Sequence, residues 1–330
     1  MHLNNTVLQS VEMYPQQVVA GWDAIMAKNI QLPEISNIVV CGMGGSTLGA
    51  RVLDSITSAI PITIVNHYDI PSFVNEKSLV VISSYSGNTE ETVSCFHQAL
   101  ERNTNIYAMA TGGKIADIAQ QNQIFLYTID PKENPSCQPR LATGYSIGAL
   151  LGLLSKAGID GITKEELDHA LDLNHEEIKH NAQIYRDELK DKGVLFVSSE
   201  HLIGSTYAAK NMINESAKAF SSIFELPELN HHLMEGLKHP KTLKNDLAFF
   251  FVESDFYHER VKRRYSITKD VVSQNGYSWY EYKAYSETKL KQVFEVLLLG
   301  SYLQVYLGEY YKEDLTQIPW VDYFKEKLSS

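Results

Sequence analysis

The sequence predicts an α/β chain built from two copies of one unit, each a parallel sheet flanked by helices. Three observations predict it. Short apolar, β-branched runs alternate with segments of helical periodicity, brief glycine turns join them, and a similar order of blocks recurs in the second half. A length of 330 residues suits two domains, which are expected at 1–155 and 156–330.

In the first half, SNIVVC (36–41) is too short and too β-branched for a helix and reads as a buried strand. GMGGSTLG (42–49) turns it into the helical pattern ARVLDSI. PITIVN (61–66) and SLVVISS (78–84) are the next strands. SGNTEETVSCFHQALERN (86–103) then begins like a helix cap, with Glu90 and Glu91 in the first turn and apolar residues at helical spacing. NIYAMAT (105–111), the helical GGKIADIAQQ and IFLYTI (124–129) complete the alternation.

The second half follows the same layout more loosely. VLFVSS (194–199) leads through EHLIGSTYAAKNMINESAKAF into a long helix, LAFFFVES (247–254) takes the place of SLVVISSY, and YSWYEYKAY (277–285) that of NIYAMAT. The glycine-rich turn has eroded in this copy. Between the copies, residues 159–178 are charged and read as a solvated helical linker opened by the TxxE capping box of Thr163. Residues 288–310 read as a long helix covering the second sheet.

Bulk properties exclude several functions. Net charge is −11, with HERVKRR (258–264) the one basic cluster, so the broad positive face that nucleic acid requires is missing. An anionic small molecule must then be held by local donors. No run approaches the ~20 apolar residues of a membrane span, and MHLNNTVLQS has no secretory pattern. Three cysteines without a CxxC pair fit reduced thiols in a cytoplasm. The eleven histidines form neither HExxH nor a zinc spacing, so no metal site is expected.

Three segments carry candidate chemistry. CGMGGS (41–46) sits at a strand-to-helix turn, where glycines admit a ligand close to the backbone and Ser46 joins the helix N-terminus as a donor to an anion. It lacks both the P-loop and the GxGxxG spacing, and the next strand ends in Asn66 and His67 rather than an acid, which disfavours NAD. A turn serving geometry alone is the competing explanation. SSYSGNTEET (83–92) places Ser84, Ser86 and Thr89 where a parallel strand ends, the edge at which α/β sheets bind ligands. A serine-rich helix start is commonplace alone; beside GMGGS it makes a phosphate cradle of neutral donors. Glu90 and Glu91 suit the helix dipole but not an adjacent dianion, so their carboxylates are expected to turn away. In NPSCQPRLATGYSIGALLGLL (134–154), Arg140 precedes a helix of small residues, with a surface arginine as the alternative.

GMGGS, SYSGNTEET, TGG (111–113) and QPRLATGYS together resemble the sugar isomerase (SIS) domain proteins, and specifically the bifunctional phosphoglucose/phosphomannose isomerases. The resemblance continues through NESAKAF (214–220) and ELPELNHHLMEG (225–236) and spans essentially the whole chain. It implies two SIS-type, flavodoxin-like domains, a homodimer without a cofactor, and interconversion of glucose 6-phosphate or mannose 6-phosphate with fructose 6-phosphate through a cis-enediolate. Residue by residue, it implies that Ser84, Ser86 and Thr89 hold the phosphate and that Gly45 and Ser46 line the sugar. Arg140 would stabilise the enediolate and Glu215 shuttle the proton. His231 would assist ring opening, from this subunit or its partner. The C-terminal run EDLTQIPWVDYFK (313–325) departs from the family's DPTPV-lysine pattern, its prolines having shifted; Thr316 and Lys325 keep the spacing.

On the residues alone, an i,i+3 pair with Lys218 is the competing role for Glu215, and one of His231 and His232 is expected at a helix start. Two other functions are weighed: a non-catalytic sugar-phosphate-binding SIS regulator, against which no DNA-binding segment flanks the units, and an isomerase of another phosphosugar.

Overall fold

A computed structural model describes residues 4–30, 32–57, 59–159 and 161–329. In chain order the α-helices are α1 (Asn5–Glu12), α2 (Tyr14–Met26), α3 (Gly45–Ile56), α4 (Glu90–Glu101), α5 (Gly113–Gln121), α6 (Thr143–Ala157) and α7 (Lys164–Leu171). They continue as α8 (His175–Leu189), α9 (Ile203–Met212), α10 (Leu233–Gly236), α11 (Leu243–Asp246), α12 (Glu259–Gln274), α13 (Lys289–Tyr310) and α14 (Pro319–Ser329). The chain divides into two compact units, Glu12–Asp172 and Leu173–Ser330, the latter including Met1–Val11.

In the unit Glu12–Asp172, β1 (Asn37–Cys41), β2 (Ile62–Val65), β3 (Ser78–Ser83), β4 (Asn105–Ala110) and β5 (Phe125–Thr128) form an all-parallel sheet in the order β2-β1-β3-β4-β5. Each strand lies within the run expected for it. Period-two alternation sends Val39, Cys41, Val80, Ile82, Ile106 and Ala108 into one core with Phe96 and Ala99 of α4 and Ile115 of α5. Helices α2, α3 and α6 pack as a second group. Cys41 pairs in register with Ile82, so the turns after β1 and β3 leave the sheet at the same edge.

The other unit carries a four-stranded parallel sheet, β7-β6-β8-β9, from β6 (Gly193–Ser198), β7 (Ser221–Glu225), β8 (Leu247–Ser254) and β9 (Ser278–Ala284). Edge strand β7 is absent from the sequence expectation, because SSIFE is short and comes directly after a stretch that reads as helix. That single helix over 200–220 resolves into a 3₁₀ turn, α9, and a π-helical turn at Ile213–Ala217 that ends at Lys218 in the left-handed region (φ 54°). Helix α13 packs on α8, α9 and β9, as a sheet-covering helix should. The expected linker helix is two helices: α7 opens with the capping box of Thr163 and Glu166, and α8 opens on Asn174, whose side chain accepts from the Glu177 amide.

The eroded glycine turn has a physical counterpart. Where β6 ends, buried His201 donates from Nε2 to the Gln292 side-chain oxygen (3.1 Å), which also accepts from Ser254 Oγ (2.6 Å). Gln292 Nε2 in turn donates to the Ala284 and Ser286 carbonyls (3.2 and 2.9 Å). The buried carboxylate of Glu295 accepts from the Tyr282 hydroxyl (2.6 Å) and the Tyr285 and Ser286 amides (3.1 and 2.9 Å). Side chains of α13 thus occupy the loops at this end of the sheet.

Burial pushes the His201 imidazole below its ordinary value of 6.5, opposed by the Gln292 bond and aided by the Lys289 charge. With the folded value depressed, the unfolded chain takes up a proton below pH 6.5 that the folded chain refuses. The contribution of neutral His201 is therefore complete above that pH and is lost as pH falls. Melting temperature should decline between about pH 7 and about pH 5.5, and His201→Gln should flatten that decline; an identical slope in the variant would refute the assignment.

Candidate active site

At the strand ends of the unit Glu12–Asp172, one residue binds the loops together. The Tyr85 amide donates to Ser46 Oγ (3.1 Å), joining the turn after β3 to the start of α3. The Tyr85 carbonyl accepts from the Thr111 amide and hydroxyl (2.9 and 2.8 Å), which brings in the TGG turn after β4. Its phenol oxygen accepts from buried Asn134 Nδ2 (3.1 Å), which adds the loop before α6. Tyr85 is missing from the expected site residues; its one signal in the sequence is a place between Ser84 and Ser86.

The expected hydroxyls gather here. Ser83 Oγ donates to the Ser46 carbonyl (2.7 Å), and Ser84 Oγ lies 3.0 Å from Thr89 Oγ1 and accepts from the Gly87 amide (3.1 Å). Ser84 is buried and Ser86 exposed, so the group runs from the sheet edge to solvent. Thr89 is the residue before α4, its hydroxyl making no cap bond to that helix. The first-turn amides of a helix have no intrahelical acceptor and carry the positive end of its dipole.

Two glycines are required by this geometry. Gly87 has φ 70°, and a Cβ there would lie 1.7 Å from the Gly112 carbonyl oxygen. A Cβ on Gly45 would lie 2.8 Å from the Pro139 carbonyl oxygen and 3.0 Å from the Arg140 backbone. Removal of that one carbon lets the QPR segment seat against the start of α3.

Arg140 is 1% exposed, which replaces the surface-arginine alternative with a buried guanidinium. Its Nη1 donates to Gln138 Oε1 at 2.9 Å. Glu90 stands with its carboxylate 3.5 Å from the Tyr68 hydroxyl, beyond β2. The Tyr68 hydroxyl is raised above its ordinary value first by the Glu91 charge, so that acid too lies near the β2–β3 connection.

The remaining candidates lie in the other unit. Glu215, half-buried, sits within the π-helical turn, not in the helix interior that the sequence suggested. A π turn inserts a residue into the helical repeat and rotates the residues after it, a device common at functional sites. Lys218 lies past this turn and donates from Nζ to the Ser216 and Asp314 carbonyls (3.0 and 2.8 Å). His231 ends a 3₁₀ turn and His232 immediately precedes α10, both exposed. The turn is clamped by Asn230, which donates to Thr268 Oγ1 (2.8 Å) and accepts from Arg264 Nη1 (3.2 Å). Thr316 donates from both its amide and hydroxyl to Asp314 Oδ1 (2.9 and 2.7 Å), holding that carboxyl below its ordinary value. Lys325 lies on α14, among exposed residues. Among the described residues, no three or more His, Cys, Asp or Glu side chains are grouped as metal ligands, and no helix is long and apolar enough to cross a membrane.

Parallel sheets with a hydroxyl-rich loop and a glycine turn meeting at the strand ends define the SIS class of sugar-phosphate proteins. Residues 178–328 match the profile described as the bacterial phospho-glucose isomerase C-terminal SIS domain. A bifunctional phosphoglucose/phosphomannose isomerase of Thermoplasma volcanium is 30% identical, over 92% of this chain and 94% of its own. Another of that name, from Caldicellulosiruptor bescii, is 28% identical over 98% and 99%. The solved structure of a hypothetical protein from Thermus thermophilus superposes with a TM-score of 0.73 at 15% identity, covering 98% of this chain and 90% of that one. The chain belongs to the bifunctional phosphoglucose/phosphomannose isomerase family.

Gly87→Ala should abolish activity and lower the melting temperature, since neither φ 70° nor the Gly112 carbonyl accommodates a methyl group. Thermal melting and turnover of the purified variant check this; wild-type values for both would mean that the loop tolerates rearrangement.

Proposed function

We propose that the protein is a sugar-phosphate aldose–ketose isomerase that interconverts glucose 6-phosphate, mannose 6-phosphate or both with fructose 6-phosphate. The observation that carries this reading is the joining of the Ser84–Thr89 hydroxyl loop to Ser46 through the Tyr85 amide, beside a buried arginine.

Each residue has a role that the chemistry requires. The net charge of −11 offers no attractive field for a phosphate dianion, so Ser84, Ser86, Thr89 and the first amides of α4 hold it. Gly45 and Ser46 line the sugar. Isomerisation then moves one proton between C1 and C2, which takes a single carboxylate able to reach both carbons; Glu215 is that base. As the proton leaves C2 or C1, negative charge develops on the neighbouring oxygen. The Arg140 guanidinium, permanently charged and removed from bulk water, stabilises the cis-enediolate. His231 exchanges the proton that opens the pyranose ring, and Thr316 and Lys325 complete the substrate contacts. The reading needs no metal or organic cofactor and takes the protein as a cytoplasmic homodimer acting in the upper steps of hexose phosphate metabolism.

Purified protein should convert fructose 6-phosphate to glucose 6-phosphate, mannose 6-phosphate or both, in a coupled assay containing EDTA. Glu215→Gln should lower kcat by ~10²–10⁴ with the melting temperature retained. Ligand-induced thermal stabilisation without turnover would instead support a sugar-phosphate-sensing regulator, and an unchanged kcat in the variant would remove Glu215 from the role of base.

A further inference from the structure

The residues on either side of Glu215 are pinned to two different parts of the unit that carries them. On one side, the Asn214 side chain donates to the Ser221 carbonyl (2.9 Å) and accepts from the Ser221 amide (2.8 Å), which fastens the turn to the first residue of β7. On the other side stands Lys218. Its amide donates to the Ile213 carbonyl, the five-residue spacing that closes a π turn. Its Nζ reaches back to the Ser216 carbonyl (3.0 Å) and across to the Asp314 carbonyl (2.8 Å), 96 residues on. Lys218 does this from the left-handed region (φ 54°), which a residue with a Cβ enters at a cost and keeps where its surroundings impose it. One residue thus closes the turn with its backbone and bridges to another segment with its side chain.

The segment that it reaches is a fixed anchor. The Asn4 side chain donates to the Glu313 carbonyl (3.3 Å) and accepts from the Leu315 amide (3.2 Å), taking hold of the backbone on both sides of Asp314. The Glu313 amide donates to the Gly308 carbonyl (2.9 Å), and Leu315 is fully buried. A Cβ on Gly308 would lie 2.1 Å from Leu315 Cδ2 and 3.5 Å from Ala217 Cα, so the anchor and the π turn meet on one surface of α13. Lys218 ties the turn that carries the candidate base to the segment that carries Thr316.

We propose that Lys218 is a positioning residue for Glu215, holding the π turn against the anchored segment Glu313–Thr316 so that the carboxylate stays aligned through the proton transfer. The inference rests on the isomerase reading above and adds a residue to it. A base that serves C1 and C2 in turn tolerates little displacement, because a misplacement of about 1 Å can cost ~10²-fold in rate.

Three variants separate this role from support of the fold and from contact with substrate. Lys218→Gly removes the clasp and the strain together, since glycine takes φ 54° freely. Lys218→Met removes the clasp and keeps the strain, and Lys218→Arg keeps donors of similar reach. The first two should lower kcat for fructose 6-phosphate ~10–100-fold, with KM and the inhibition constant of inorganic phosphate within about twofold of wild type. The melting temperature should be retained in Lys218→Gly and fall in Lys218→Met, so that loss of rate does not follow loss of stability. Lys218→Arg should recover most of the rate. Hydrogen–deuterium exchange in Lys218→Gly should quicken over residues 213–219 while residues 313–316 keep their protection.

A kcat within about twofold of wild type in the glycine and methionine variants would overturn the proposal, as would unchanged exchange over 213–219. A rise in KM and in the phosphate inhibition constant matching the loss of kcat would also overturn it, by making Lys218 a ligand of the substrate. Equal quickening of exchange at 313–316 would do the same, by making Lys218 a general support. Failure of the isomerase reading would show separately, as wild-type protein that does not turn over fructose 6-phosphate while exchange still reports the clasp at 213–219.

Discussion

The hydrogen bonds of Tyr85 set the geometry on which the candidate site depends. The amide reaches Ser46 after β1, the carbonyl takes Thr111 after β4, and the phenol oxygen takes Asn134 before α6. Parallel strands in register bring these connections to one edge of the sheet, but register alone leaves loops free to diverge. A single residue with its backbone and side chain all engaged converts that proximity into a fixed arrangement. The glycines serve the same end: without Cβ atoms at 45 and 87, backbone segments approach where side chains would keep them apart.

The two units share an architecture and differ at the strand ends. In one, the turns after β1 and β3 remain short and carry hydroxyls. In the other, His201 and Gln292 lock together after β6, and the Glu295 carboxylate takes two backbone amides of the turn after β9. A buried carboxylate satisfied by such donors closes this end of the sheet with a group of the protein itself. The second copy has thereby become a scaffold whose candidate groups lie on other features: Glu215 on the π turn, His231 on a clamped 3₁₀ turn, and Lys325 on α14.

Much of the fold was legible in the sequence, since the five strands of the unit Glu12–Asp172 sit within runs whose length and β-branching distinguish them from helices. Ser46, Ser84 and Thr89 were legible for the same reason, because each lies where a recognisable strand gives way to a recognisable helix. The features that escaped were decided by contacts between distant residues. Strand β7 exists because SSIFE pairs with β6 along its whole length, although its own pattern is inconspicuous beside a helix. The π turn exists where α9 meets α13 and the chain must reach that strand, and no residue between Ile213 and Ala217 announces it.

Sequence by itself determined the α/β class, the doubled layout and the chemistry available at the turn after β3, because periodicity, glycine placement and helix-start residues act over a few neighbouring positions. Tertiary structure alone decided that Arg140 is buried, that Tyr85 joins three loops, that Gln138 grips the guanidinium, and that the second unit closes its strand ends with α13. These features rest on hydrogen bonds and close approaches that mostly join residues far apart along the chain, as with Tyr85 and Asn134 or His201 and Gln292. Local pattern fixes which elements form, and only packing fixes which side chains meet.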